Sequence, residues 1–243
     1  VAAIKENKEP YTFAVIKEIY DDLKDETIKK AFDSLIEELK QKGHKINTVS
    51  ITLPIAEAIY PAYYIISSAE ATSNNANLDG IKFGTYKDAD TFEEMLFKVR
   101  TEGFSDRIRR RFVIGSYVLQ AENKDRYFHN AARVRRLLVD TWNKLFESFD
   151  AVILPVGTGP AKHLDDSKNI LDNNTSALEE HLQIGNFGGF PSVTIPDGFI
   201  NDLPVALNLT GKCYDDANVL NIAYAIENTL EYKNQIAGGK KND

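Results

Sequence analysis

The amino-acid sequence predicts an α/β fold, with a mixed sheet flanked by helices. Residues 11–16 are β-branched and aromatic enough for a strand, and residues 45–53 are predicted as a second strand that Pro54 stops. Between them, an apolar stripe at helical spacing predicts a helix over residues 25–42, with Gly43 just past its end. The stripe consists of Ile28, Ala31, Phe32, Leu35, Ile36 and Leu39. A strand, a helix and a strand in so few residues predict a βαβ unit with parallel strands.

The middle of the chain is predicted to be helical. Helices are expected over residues 55–77, 91–100, 105–120 and 124–149, with a turn at Asp79-Gly80 after the first of them. In the last of these helices, the side chains expected to face the core are Ala132, Leu137, Leu138, Trp142, Leu145 and Phe146.

The last third returns to strands. Residues 151–154 are uninterrupted apolar residues ended by Pro155, which is typical of a strand covered on both faces. A polar loop over residues 157–174 and a helix over 176–183 follow. Strands over 192–195 and 205–209 and a helix over 215–230 close the fold. We expect a single domain over residues 1–243, made of a βαβ unit (1–54), a helical section (55–150) and strands with a closing helix (151–243).

Composition narrows the functional classes. The 243 residues are 43% hydrophobic and 27% charged, which suits a globular chain near the upper size of one domain. Neither a membrane-length apolar run nor a signal-peptide pattern occurs, so a cytoplasmic location without membrane contact is expected. The single cysteine, Cys213, excludes an intrachain disulfide. The net charge of -7 argues against a basic face over the whole chain but leaves room for a local patch. The start at Val1 suggests that residues upstream are missing.

Residues 62–74 concentrate hydroxyls, two tyrosines and a carboxylate in one predicted helix, which raises the possibility of a serine nucleophile. A nucleophilic serine needs a base within hydrogen-bond reach and commonly a glycine-rich turn that supplies backbone amides. Ser67 and Ser68 have no flanking glycine and lie in the middle of the helix. They are therefore interpreted as hydrogen-bonded packing residues.

Other candidate sites are weaker. The four histidines, His44, His129, His163 and His181, lack metal-ligand spacing, so no metal site is expected. Residues 185–189 are glycine-rich, but no Lys-Ser/Thr follows as in a phosphate loop.

The run of arginines from Arg107 to Arg111 is either a solvated helix face or a basic patch for phosphate. Arg111 lies four residues after Arg107 and directly precedes an apolar stretch, so it could turn inward. One inward arginine could clamp a carboxylate through two parallel hydrogen bonds.

Several blocks of sequence together resemble one family. The first is Tyr-Tyr-Ile-Ile-Ser-Ser-Ala-Glu-Ala-Thr-Ser-Asn at residues 63–74, followed by Asp79-Gly80, and another is Asn-Phe-Gly-Gly-Phe-Pro-Ser-Val-Thr-Ile-Pro at 186–196. The remaining blocks are residues 101–104, 110–119, 132–135 and 203–212. They resemble the amidase-signature family, and within it the glutamine-hydrolysing A subunits of tRNA-dependent amidotransferases. The resemblance covers nearly the whole chain and corresponds to the C-terminal half of that family.

The resemblance implies an activity that needs more than this chain. The family's catalytic residues are a lysine and two serines, and both serines belong to a Gly/Ser-rich signature that precedes the first βαβ unit. No Gly-Gly-Ser-Ser-Gly run occurs in residues 1–243. No catalytic residue is therefore expected here, and the isolated chain should be inactive. The complete subunit would release ammonia from glutamine, which partner subunits B and C would use to convert Glu-tRNA(Gln) to Gln-tRNA(Gln). No cofactor is expected in this chain, whereas ATP and magnesium are expected at the partner subunit.

The resemblance also implies a glutamine pocket lined by Tyr63, Arg111 and Glu179. The guanidinium would pair with the α-carboxylate of glutamine and the acid with its α-ammonium group. The family has an aspartate where this chain has Glu179, and Glu180 is the neighbouring alternative. Two other functions stay open: a stand-alone amidase of the same family that acts on another amide, and a non-catalytic module that binds RNA through residues 107–111.

Overall fold

A computed structural model describes residues 10–161, 181–230 and 235. The chain divides into two compact units, the first made of Val1–Tyr60 and Leu137–Asp243 and the second of Pro61–Arg136. Within the described residues, the first unit holds the sheet and the second is helical. The boundaries predicted from sequence, after residues 54 and 150, stay a prediction of domain organisation.

The fold is α/β, as the sequence predicts, and the described strands form a five-stranded mixed sheet in the order β2-β1-β3-β5-β4. Its strands are β1 (Thr12–Ile16), β2 (Lys45–Val49), β3 (Ala151–Pro155), β4 (Ser192–Ile200) and β5 (Leu203–Gly211). β1 pairs in parallel with both β2 and β3, whereas β5 is antiparallel to both β3 and β4. Every residue of β3 is buried, which confirms a strand covered on both faces.

The βαβ unit is confirmed. Its crossover consists of a short α1 (Lys17–Asp21), which the sequence analysis missed, and α2 (Glu26–Gln41). Asp25 caps α2 by accepting the amides of Thr27 and Ile28 at 2.8 and 3.2 Å, and Gly43 follows the helix with a φ of 93°. The side chains of α2 that are buried are Ile28, Phe32, Leu35 and Leu39. The predicted stripe is thus correct along its centre, whereas Ala31 and Ile36 at its sides are half-buried.

The predicted strand 45–53 is wrong beyond Val49. Thr52 has a φ of 71°, which ends extended structure, and α3 (Leu53–Glu57) begins directly after it. Glu18 holds this turn, because its carboxylate accepts the amides of Ile51 and Thr52 at 3.0 and 3.1 Å. The predicted helix 55–77 is in fact two helices, because Ala58 ends α3 and α4 (Ile59–Asn74) follows.

The second unit contains α5 (Phe92–Glu102) and α6 (Asp106–Leu119), both close to their predicted bounds. The predicted helix 124–149 is a sequence of three segments: α7 (Ala121–Lys124), a π-helix (Asp125–His129) and α8 (Asn130–Leu145), which continues into the first unit. In α8, Leu138 and Trp142 are buried as expected, whereas Ala132 and Leu137 are exposed. The buried face begins at Ala131 instead, seven residues before Leu138 and hence on the same side of the helix.

The C-terminal elements follow their predicted order. A 3₁₀ turn (His181–Gln183) leads into α9 (Ile184–Gly188), and α10 (Asp216–Thr229) closes the chain and contacts β4 and β5. Of the predicted helix 176–183, residues 176–180 lie outside the described residues. Gly189 ends α9 in the left-handed region, with a φ of 68°. No helix of the described residues is long and apolar enough to cross a membrane.

Candidate functional site

Two helices of the second unit, α4 and α6, approach each other closely at Gly115. A Cβ atom added to Gly115 would collide with the carbonyl oxygen of Ser68 and with the hydroxyl of Thr72. The Thr72 hydroxyl donates to the Ser68 carbonyl at 2.9 Å, and it also lies 3.4 Å from the carbonyl of Phe112. The glycine thus brings the middle of α4 against α6, so side chains one turn away on the two helices can meet.

Arg111 on α6 reaches across to α4. Its Nη1 donates to the Oγ of Ser67 at 2.5 Å. Its guanidinium carbon lies 5.1 Å from the ring centroid of Tyr64 and 5.9 Å from that of Tyr63, which are cation–π distances. A hydroxyl and two aromatic rings therefore hold the half-buried arginine.

Within the described part of the chain, no negative charge compensates the positive charge of Arg111. Among the described residues, no ion pair joins Arg111 to a carboxylate. A guanidinium carries five N–H donors in a planar fork, and the contact with Ser67 uses one nitrogen. The remaining donors suit a carboxylate, which can accept two parallel hydrogen bonds. The arrangement is thus chemically suited to bind an anionic group.

The structure brings together two of the three residues that the resemblance assigns to substrate. Tyr63 and Arg111, 48 positions apart in the sequence, meet at the interface of α4 and α6. Glu179 and its alternative Glu180 lie outside the described residues. The substrate roles of all three remain predictions.

The sequence did not predict the contact between Ser67 and Arg111, since Ser67 was interpreted, like Ser68, as a packing residue. Ser68 is fully buried, as expected for packing, but its hydroxyl has no hydrogen-bond partner among the described residues. Ser67 instead contacts Arg111. A usable signal was present, because Ser67 follows Tyr63 by four residues and so lies on the same face of the helix.

The arginines of residues 107–111 do not share one environment. Arg107 is exposed, Arg109 forms an ion pair with Asp106 of its own first turn, and Arg110 is half-buried. Arg111 faces α4. The run therefore divides its charges among different surroundings, which argues against a continuous phosphate-binding face.

The histidines do not form a metal site within the described residues, where no group of three or more His, Cys, Asp or Glu side chains converges. His44 and His181 are buried in the first unit, whereas His129 pairs with Asp125 at 2.7 Å, and His163 lies outside the described residues. Burial lowers the pKa of His181 to about 4, although its Nε2 lies 2.9 Å from the carbonyl oxygen of Pro155. His181 is therefore neutral at physiological pH.

A family model described as Amidase matches residues 1–220 of the chain. The chain belongs to the amidase family. Its resemblance to the amidase-signature enzymes, expected from the sequence blocks, is thereby confirmed.

Among curated amidases, the A subunit of glutamyl-tRNA(Gln) amidotransferase from Lactobacillus delbrueckii subsp. bulgaricus is 35% identical over 229 residues, which are 93% of this chain and 47% of that protein. The corresponding protein of Thermotoga maritima is 34% identical over 233 residues, covering 96% of this chain and 48% of that protein. The chain thus spans about half the length of the curated relatives it matches.

Solved amidase structures share the fold. A crystal structure of the Thermotoga maritima protein matches with a TM-score of 0.68 at 30% identity, covering 94% of this chain and 44% of that one. A bacterial aryl acylamidase of the amidase-signature family matches with a TM-score of 0.67 over 94% of this chain and 45% of that one, but at 14% identity this likeness concerns the fold alone. The family model, the curated relatives and the Thermotoga maritima structure thus agree on the amidase family.

Proposed function

We propose that this chain is the substrate-binding half of a glutamine-hydrolysing subunit of a tRNA-dependent amidotransferase. The observation that carries the proposal is the Arg111 guanidinium, which neutral groups hold and which no described carboxylate neutralises. The similarity to the A subunits of glutamyl-tRNA(Gln) amidotransferases makes glutamine the amide to consider first.

Glutamine offers three groups to such a pocket. Its α-carboxylate would accept hydrogen bonds from the free edge of the Arg111 guanidinium, and Tyr63 would form a wall beside it. Its α-ammonium group would pair with Glu179 or, as the alternative, Glu180. Binding both charged groups at one end leaves the side-chain amide at the other end, where hydrolysis must occur.

The remaining machinery would come from outside residues 1–243. It would consist of a lysine and two serines, and the Gly/Ser-rich signature that holds the serines does not occur in this chain. One serine would attack the carbonyl carbon of the glutamine side-chain amide and form an ester-linked glutamyl-enzyme as ammonia leaves, and water would then hydrolyse the ester to glutamate. Subunits B and C would complete a heterotrimer, in which one partner would use ATP and magnesium to activate Glu-tRNA(Gln) and the ammonia to amidate it. This chain itself would bind neither cofactor. The cytoplasm is the location we expect for the assembly.

The test uses the complete protein with its partner subunits. We expect it to hydrolyse glutamine and to convert Glu-tRNA(Gln) to Gln-tRNA(Gln) with glutamine as nitrogen donor. The 243-residue chain alone should release no ammonia from glutamine. A complete protein that ignores glutamine but cleaves a neutral amide would contradict the proposal and favour a stand-alone amidase.

The stand-alone amidase is the second candidate within the same family. A neutral amide would have no use for an uncompensated guanidinium beside two tyrosines, so the surroundings of Arg111 favour an amino-acid substrate. An RNA-binding module using residues 107–111 is supported less well, because one of those arginines is ion-paired and another faces α4. A salt-dependent gel shift by the isolated chain would support RNA binding.

A further inference from the structure

We propose that Ser67 is a positioning residue that fixes the Arg111 guanidinium for its anionic ligand without neutralising it. The inference rests on the proposed function, since it concerns the same pocket. Its starting point is the 2.5 Å contact between Arg111 Nη1 and Ser67 Oγ, which joins α6 to α4 over 44 positions of sequence.

The hydroxyl can serve as acceptor and donor at once. While its oxygen accepts from Arg111, its proton faces the carbonyl oxygen of Tyr64, 3.5 Å away and one turn back in the same helix. The ring of Tyr64 also lies 5.1 Å from the guanidinium carbon. Ser67 and Tyr64 therefore restrain the arginine from two directions within one turn of α4.

Because the Ser67 hydroxyl is uncharged, the Arg111 guanidinium keeps its positive charge for an anionic ligand. A carboxylate at position 67 would hold the guanidinium as well as a hydroxyl does, but it would also occupy the fork and cancel the charge. Serine supplies one hydrogen bond and no charge. The positive charge thus remains available to a second, external anion.

Fixing the side chain before the ligand arrives should strengthen binding. An arginine side chain has many rotamers, and a ligand that must order it loses affinity. The contact with Ser67 orders Arg111 during folding instead. Loss of Ser67 should then raise the KM for glutamine and leave the chemical step nearly unchanged, because the lost interaction acts equally in ground and transition states.

The experiment compares Ser67→Ala, Ser67→Thr and Ser67→Asp in the complete protein with its partner subunits. For Ser67→Ala we expect KM for glutamine to rise about tenfold, as for the cost of ordering one arginine side chain on binding, with kcat within about twofold. Ser67→Thr, which keeps the hydroxyl, should restore most of the affinity. Ser67→Asp should raise KM further than Ser67→Ala does, although it keeps an acceptor. Ser73→Ala, an exposed serine of the same helix, is the matched control.

Amidation with ammonium chloride in place of glutamine provides the second readout, because added ammonia bypasses the glutamine pocket. We expect it to be the same in all four variants. If wild-type protein fails to hydrolyse glutamine, the proposed function is wrong, and the inference is overturned with it. If wild type is active but Ser67→Ala keeps its KM within about twofold, the role of Ser67 alone is refuted. A parallel fall in kcat and in ammonium-dependent amidation would also refute it, since that result indicates a structural role.

Discussion

Asp197 places a carboxyl group inside the first unit, and its replacement by asparagine should change how stability depends on pH. It lies in β4 between Pro196 and Gly198, where the pairing with β5 shifts register. The residue is 8% exposed, and its Oδ1 has no hydrogen-bond partner among the described residues. Burial raises the pKa of this carboxyl to about 6 from an ordinary value of 3.8.

The sign and size of the effect follow from that shift. Between pH 3.8 and about 6, the folded chain binds a proton at Asp197 more tightly than the unfolded chain does, so the free energy of unfolding falls as pH rises. A shift of this size corresponds to about 3 kcal/mol. Asparagine has nearly the same shape and does not titrate. The stability of Asp197→Asn relative to wild type should therefore increase by about 3 kcal/mol between about pH 4 and pH 7.

Urea unfolding of the chain from about pH 4 to pH 7 measures this difference, with fluorescence of the single, buried Trp142 as the probe. The wild-type curve alone would mislead, because the lowered pKa of His181 makes stability rise over about pH 4 to 6.5 and opposes the effect of Asp197. Subtracting wild type from variant cancels the histidine. Asp202→Asn, in the exposed turn after β4, sets the baseline for removing one carboxylate. A difference that does not vary with pH beyond that baseline would refute the reasoning.

Two further predictions concern packing in the second unit. Arg100→Met should destabilise the chain by about 2–4 kcal/mol, because Arg100 donates to the carbonyl of Asn75 at 2.7 Å and its guanidinium lies 4.7 and 4.6 Å from the rings of Phe104 and Phe112. The control is Arg133→Met, which replaces an exposed arginine. Equal urea midpoints for the Arg100→Met and Arg133→Met variants would contradict the stabilising role of Arg100. Gly115→Ala should cost about 1–3 kcal/mol, despite alanine's better helix propensity, because its Cβ would collide with α4. The control is Ser116→Ala on the exposed side of α6, which should leave the free energy of unfolding nearly unchanged. If Gly115→Ala instead stabilised the chain, α4 and α6 would not be in close contact at this position.

The sequence was sufficient to predict those secondary-structure elements whose hydrophobic pattern is local and strong. The stripe of α2 and the apolar run of β3 both predicted their elements closely, because hydrophobic periodicity reports directly on burial. The two strands predicted over residues 192–195 and 205–209 are longer in the structure, where β4 includes Pro196 and β5 includes Pro204. β4 is an edge strand of the described sheet, a position that tolerates proline, and Pro204 of β5 lies beyond the residues that pair with β3.

The site was predictable only in part, for a related reason. The sequence resemblance named Tyr63 and Arg111, and helical spacing allowed Arg111 to face inward. The contact with Ser67 depends on how closely α4 and α6 approach, and Gly115 sets that approach from a position 48 residues further along the chain. Long-range contacts of this kind leave no periodicity in the sequence. The break at Ala58 and the π-helix Asp125–His129 are likewise departures from regular helix that local propensity does not reveal.

The central claim is that Arg111 binds the α-carboxylate of glutamine. The most direct measurement is kcat/KM of the complete protein and its Arg111→Ala variant for two amides, glutamine and 4-aminobutanamide, which is glutamine without the α-carboxylate. We expect the substitution to lower kcat/KM for glutamine about 10- to 150-fold, the range for hydrogen bonds to a charged group, and to leave kcat/KM for 4-aminobutanamide within about threefold. An equal loss for both amides would contradict the claim, because Arg111 would then act without regard to the carboxylate.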